Sequence, residues 1–205
     1  MKKKLVLLLG IILSCNVYAT ANAANLVVNG EFEAGLSGFE SDYTYTSDPN
    51  KLYSGRYILQ NSAGTGNYIL ANGSHYSTDA VWRQTITSLT PDTNYVFSIW
   101  AAKMTVFPYP VLDLRVNGSS IGNFVLDGDY AVLENLAGAW NSGTLGSAVL
   151  SIHDLNTTVG GNNFAFDYVS FDLAPVAPAP APEPSTMILG LLGTGSLIGL
   201  RKRKF

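Results

Sequence analysis

Between residues 24 and 174, apolar and polar residues alternate in short runs, with frequent Gly, Asn, Asp and Ser. No segment keeps apolar residues at the 3.6-residue helical spacing through three turns, so the core has to be built from strands. In Val111–Val116, Leu112, Leu114 and Val116 share one face while Asp113 and Arg115 occupy the other. Asn117-Gly118 follows directly and signals a tight hairpin. Tyr95–Trp100 is a second strand, with Phe97 and Ile99 on the core side and Ser98 and Trp100 outside. Further strands are expected at Leu26–Phe32, Tyr43–Thr46, Arg56–Gln60, Val81–Ile86, Ala148–His153 and Phe164–Phe171. Leu89–Asn94 reads as a turn, in which Pro91 fixes φ and Asp92 can bond its own backbone. About eight short strands at this spacing predict an all-β fold, an antiparallel β-sandwich of the jelly-roll type, over residues 24–174.

Both ends of the chain read as processing segments. Residues 1–23 form a signal peptide: Lys2–Lys4, the apolar run Leu5–Leu13, and the small-x-small cleavage site Ala21-Asn22-Ala23. As a helix this run rises about 14 Å, too little for a hydrocarbon core of about 30 Å. Leu13-Ser14-Cys15 leaves a second reading open, in which Cys15 is lipidated; it is the chain's one cysteine. After cleavage at Ala23 the protein can form no disulfide. Residues 175–184 alternate proline with alanine and valine and form an extended spacer of roughly 3 Å per residue.

Residues 182–205 combine Pro182-Glu183-Pro184, the apolar and Gly-rich stretch Met187–Leu200, and the basic end Arg201-Lys202-Arg203-Lys204. The order resembles the PEP-CTERM sorting signal of Gram-negative bacteria. That resemblance implies export by the Sec machinery and recognition by an exosortase, a membrane-embedded, transpeptidase-like enzyme. Fourteen residues make a short hydrophobic helix of about 21 Å, and the basic end stays cytoplasmic by the positive-inside rule. The expected topology is a transient inner-membrane anchor, followed by release to the cell surface or extracellular matrix.

Charge narrows the partners. Seven of the twelve basic residues lie in the terminal segments, which leaves residues 24–174 with five against fourteen Asp and Glu, a net charge of −9. Such a domain repels nucleic acid and anionic lipid. The sequence shows no Gly-x-Ser-x-Gly elbow, and His75 and His153 lack metal-ligand spacing. Fourteen carboxylates will form chance pairs, so they do not point to glycoside hydrolysis by themselves. Asp127-Gly128-Asp129 reads as a turn or an incidental cation site rather than an acid/base pair, and the side chains of His153 and Asp154 would face opposite ways on a strand. The expected role is binding rather than catalysis.

The domain itself resembles galactose-binding-like jelly rolls, the fold of many carbohydrate-binding modules. The resemblance rests on Asn25–Glu33, Tyr53–Tyr57, Val81–Ile86 with Thr93–Ala101, and Phe164–Phe171. It implies a structural calcium ion held by Glu33 and Asp167 with nearby backbone oxygens, although Tyr168 stands where the family often has a second acidic residue. It also implies a polysaccharide ligand. Sugars present apolar C–H faces that stack on flat rings, and Tyr43, Tyr45, Trp100 and Trp140 are the residues proposed to meet them. Tyr53, Tyr76, Trp82, Tyr109 and Tyr130 are further aromatics in the domain. A structural or adhesive matrix protein with no glycan site is the first alternative, and a secreted glycan hydrolase the second.

Overall fold

The computed structural model describes residues 24–53, 56–62, 66–158 and 160–175. The chain divides into two units, Met1–Ala174 and Pro175–Phe205. Almost all of the second unit lies outside the described residues. So do the expected signal helix and C-terminal hydrophobic helix, and Cys15. Among the described residues, no helix is long and apolar enough to cross a membrane.

In the first unit, ten strands and one 3₁₀ turn, Pro49–Tyr53, are described. The strands are β1 (Thr44–Tyr45), β2 (Tyr57–Ser62), β3 (Asn67–Ala71), β4 (Ala80–Thr87), β5 (Asn94–Lys103), β6 (Val111–Val116), β7 (Ser119–Val125), β8 (Glu134–Asn141), β9 (Ser147–Asp154) and β10 (Phe164–Leu173). They form a six-stranded sheet, β1-β2-β3-β10-β5-β8, and a four-stranded sheet, β4-β9-β6-β7. All pairings are antiparallel except the short β1–β2 pair. The domain is therefore the expected β-sandwich.

Alternation along the central strands builds the core. Tyr95, Phe97, Ile99 and Ala101 of β5 face inward beside Phe164, Phe166 and Phe171 of β10. From the other sheet come Trp82, Leu112, Leu114, Leu150 and Ile152, all fully buried. Rings interlock edge to face or tilted, as in Phe32–Phe166 at 5.5 Å and Trp82–Phe97 at 6.1 Å. Each such side chain removed from water contributes about 1.5–3 kcal/mol. All of these residues belong to the first unit. The β6–β7 hairpin turns at Asn117 and Gly118, whose φ of 51° and 78° are the left-handed values that a tight two-residue turn requires.

One expected strand is absent. Leu26–Phe32 forms turns instead, with Asn29 at φ 55° and Phe32 at φ 53°. The Asn29 side chain donates to Gly35 O and Ser37 O and accepts from Ala34 N–H, which folds the chain back on itself. This segment still attaches to the sandwich. Leu26 N–H donates to Phe171 O, Val169 N–H donates to Gly30 O, and the Phe32 ring is fully buried.

Candidate functional site

Residues paired across neighbouring strands share a face, so the register of the six-stranded sheet fixes what its outer surface presents. Asn61 pairs with Tyr68, and Trp100 pairs with both Asp167 and Asn135. The pair Phe166–Ile69 on the inner face places Asp167 and Tyr68 next to one another on the outer face. Asn61, Tyr68, Asp167, Trp100 and Asn135 therefore form a row across β2, β3, β10, β5 and β8. In the adjacent row Ala102 pairs with Ala165. Two alanines side by side leave a hollow, and a cleft of about 370 Å³ opens above them. Tyr68, Asp167, Tyr168, Met104, Ala131 and Leu133 are among the residues that line it.

A bulge in β10 aims the polar group. The β5–β10 register shifts between Asp167 and Ser170. Tyr168 takes a left-handed φ of 50° with its side chain half-exposed, while Val169 turns fully inward. Asp167 Oδ1 accepts the Tyr168 N–H at 2.7 Å. Burial in the cleft, together with the charges of Glu31 and Glu33, raises the Asp167 carboxyl to about 6 against the lowering effect of that N–H. The Tyr68 hydroxyl accepts from Asn61 Nδ2 at 2.7 Å, which holds the ring in place. Flat rings, an apolar floor and one acceptor-only carboxylate are what a saccharide needs from a site.

The residues expected from sequence separate into three groups. Trp100 lies on the outer face, 42% exposed, in register with Asp167. Tyr43 does not reach the surface: it is buried in the core, and burial followed by the charges of Asp154 and Asp79 raises its hydroxyl. Tyr45 is exposed on the edge strand β1, packed edge-on to Phe39 at 6.3 Å, outside the cleft. Trp140 faces inward, opposite Tyr95 in the register, and packs on Tyr95 and Phe171 at 6.4 and 6.1 Å. Trp82 is fully buried. Tyr68 and Tyr168 escaped sequence reading because β3 and the β10 bulge did.

Glu33 and Asp167 come near enough for their charges to interact. Glu33 already accepts the Asn67 N–H at 2.7 Å and its Nδ2 at 3.2 Å, bracing the start of β3. Among the described residues, no group of three or more His, Cys, Asp or Glu lies close enough to hold a metal ion. Two carboxylates supply part of the six to eight oxygens that calcium takes, and backbone oxygens would complete such a shell; the four-stranded sheet holds a different cluster. There Ser151 Oγ lies 3.0 Å from His153 Nε2, a nucleophile-and-base distance, but both side chains are buried, away from the cleft.

Comparison with known proteins bears on both ends of the argument. Residues 180–204 match the PEP-CTERM protein-sorting motif. The chain carries an exosortase sorting signal. This PEP-CTERM tail, with Pro182-Glu183-Pro184 and Arg201–Lys204 inside the matched stretch, implies an exported protein of the cell envelope that is processed by an exosortase. No curated protein matches the sequence. Among solved structures, the sandwich is similar to the CBM22-1 xylan-binding domain of Paenibacillus barcinonensis Xyn10C. That likeness has a TM-score of 0.52 and 14% identity, over 77% of this chain and 99% of that one. A cyclase from Fischerella sp. is similar with a TM-score of 0.54 and 11% identity, over 77% and 100% of the two chains. The C-terminal family 22 carbohydrate-binding module of Clostridium thermocellum Xyn10B gives 0.50 and 12%, over 72% and 93%. At these identities the likeness is one of fold, shared by carbohydrate-binding modules and by an enzyme.

Proposed function

We propose that this PEP-CTERM protein is a non-catalytic glycan-binding module of the extracellular matrix, delivered by its tail and holding polysaccharide on the outer face of the six-stranded sheet. The observation that carries the reading is the cleft above Ala102 and Ala165, walled by Tyr68, Asp167 and Tyr168 and bordered by the outward Trp100. Exposed rings stack on sugar C–H faces, Asp167 accepts hydrogen bonds from sugar hydroxyls, and Asn61 and Asn135 extend the polar row on either side. Before processing, the apolar segment 187–200 and its basic end hold the protein at the inner membrane. Calcium at Glu33 and Asp167 is a separable part of the reading, for which those two carboxylates are the support.

A pull-down of residues 24–182 on soluble and insoluble polysaccharides, with calcium and with chelator, tests this. Retention on one glycan class, lost in Tyr68→Ala and Trp100→Ala, is the expected result. Loss on chelation would make the ion part of the site. Release of reducing ends from a retained polymer would replace the reading with a hydrolase. Retention on none, including the host's own extracellular polymer, would leave an adhesive matrix protein acting through its loop tips, where Val106 and Phe107 are exposed.

A further inference from the structure

The charges around the cleft bear on what kind of polysaccharide it accepts. Arg56 pairs with Asp79, Arg83 with Glu40 and Asp42, and Arg115 with Asp113. Lys103 donates to Asp127 O and lies over the Tyr109 ring, and Lys51 sits on the 3₁₀ turn. These five are all the basic residues between 24 and 174, and among the described residues none of them lines the cleft. The charge that does line it is Asp167, within the field of Glu31 and Glu33. An anionic sugar placed there would face the Asp167 carboxylate in the field of Glu31 and Glu33, with no basic side chain in the cleft lining to offset them at the short range over which charges act in physiological salt.

From this arrangement we infer that the cleft takes a neutral polysaccharide, laid across the strands as an extended chain, and turns away polymers bearing uronate or sulfate. The inference rests on the glycan-binding reading and adds the class of ligand. Its chemistry is complementary throughout. An ionised carboxylate only accepts hydrogen bonds, and the hydroxyls of a neutral sugar are donors. Asp167 Oδ1 is already taken by the Tyr168 N–H, which leaves Oδ2 for a sugar hydroxyl. Ala102, Ala165, Met104 and Leu133 offer apolar surface to ring C–H groups. The geometry favours a chain over a single sugar. From Tyr68 to Asn135 the row crosses three strand spacings, or about 14 Å, and Trp100 stands beyond Asp167 in the direction of β8.

The test compares one polymer in two charge states: pectin with its carboxyls methyl-esterified and the same pectin de-esterified. Neutral xylan, glucan and mannan extend one arm, and alginate and sulfated dextran the other. Affinity electrophoresis of residues 24–182 at low salt should show retention by at least one neutral polymer. It should also show at least about tenfold weaker retention by acidic ones, a gap that narrows in Asp167→Asn and as salt is raised. Oligosaccharides of the retained polymer should compete better with increasing length. Equal or tighter retention by acidic polymers would overturn the inference while leaving a glycan site in place. Competition by a monosaccharide as effective as by a hexasaccharide would overturn the extended chain. Retention on neither class would bring down the glycan reading itself.

Discussion

Replacing Trp100 by alanine separates a binding role from a structural one, because the side chain sits at the surface with polar partners in register. Its exposure is 42%. Applied to a tryptophan of about 250 Å², this leaves roughly 100 Å² for a ligand to cover. At about 25 cal/mol per Å², complete coverage is worth about 2.6 kcal/mol and half coverage about 1.3 kcal/mol. Trp100→Ala should therefore weaken glycan binding about tenfold, with a ceiling near eighty-fold. Its cross-strand partners are Asp167 and Asn135, so the loss of fold stability should stay within about 1 kcal/mol. Isothermal titration against the retained oligosaccharide gives the first quantity and a thermal melt the second. Unchanged affinity in a variant that melts normally would refute the placement of the site. A collapse in stability with unchanged affinity in the folded fraction would show that Trp100 is a packing residue.

Trp140→Ala should do the opposite. The ring packs half-buried on Tyr95 and Phe171, so its loss should cost about 2 kcal/mol and lower Tm by roughly 4–8 °C, with affinity unchanged in a titration of the folded variant. Gly30→Ala would drive a Cβ to within 2.0 Å of the Val169 carbonyl oxygen. Detaching the 25–30 segment from β10 in this way should cost at least about 2 kcal/mol in denaturant unfolding. Asp154 and Asp167 are raised to about 7 and about 6, by burial above all, against an ordinary value of 3.8. The folded chain then holds more protons than the unfolded one between about pH 4 and pH 7, so their contribution falls as pH rises through that window. Melts across the window should show Asp154→Asn with a flatter pH dependence than the parent.

Much of the sandwich was legible because its central strands carry their own signal. The alternation in β5 correctly sent Trp100 outward and Phe97 and Ile99 inward, and Asn117-Gly118 marked the β6–β7 hairpin. Strand β8, Glu134–Asn141, was hidden by its composition. Ala137, Gly138 and Ala139 have low strand propensity, and pairing with β5 sets the strand where intrinsic preference does not. With β8 unseen, nothing fixed the side on which Trp140 would fall. Tyr43 gave no sign of its burial because it lies just before a strand of two residues, Thr44–Tyr45, too short for alternation to reveal a face. The cleft was the least legible part. It depends on the β10 bulge that turns Tyr168 outward and on the register that sets Ala102 beside Ala165, and both are properties of pairing rather than of any local run.

Hydrogen–deuterium exchange with and without a retained polysaccharide tests the central claim most directly, since it reports which surface the ligand covers. The account predicts added protection at residues 66–70, 100–104, 131–135 and 165–168, where β3, β5, β8 and β10 meet the cleft. The outer face of β4, β9, β6 and β7 should be unchanged. Protection confined to that four-stranded sheet, or to the loop around Val106 and Phe107, would contradict it and move the site elsewhere on the sandwich.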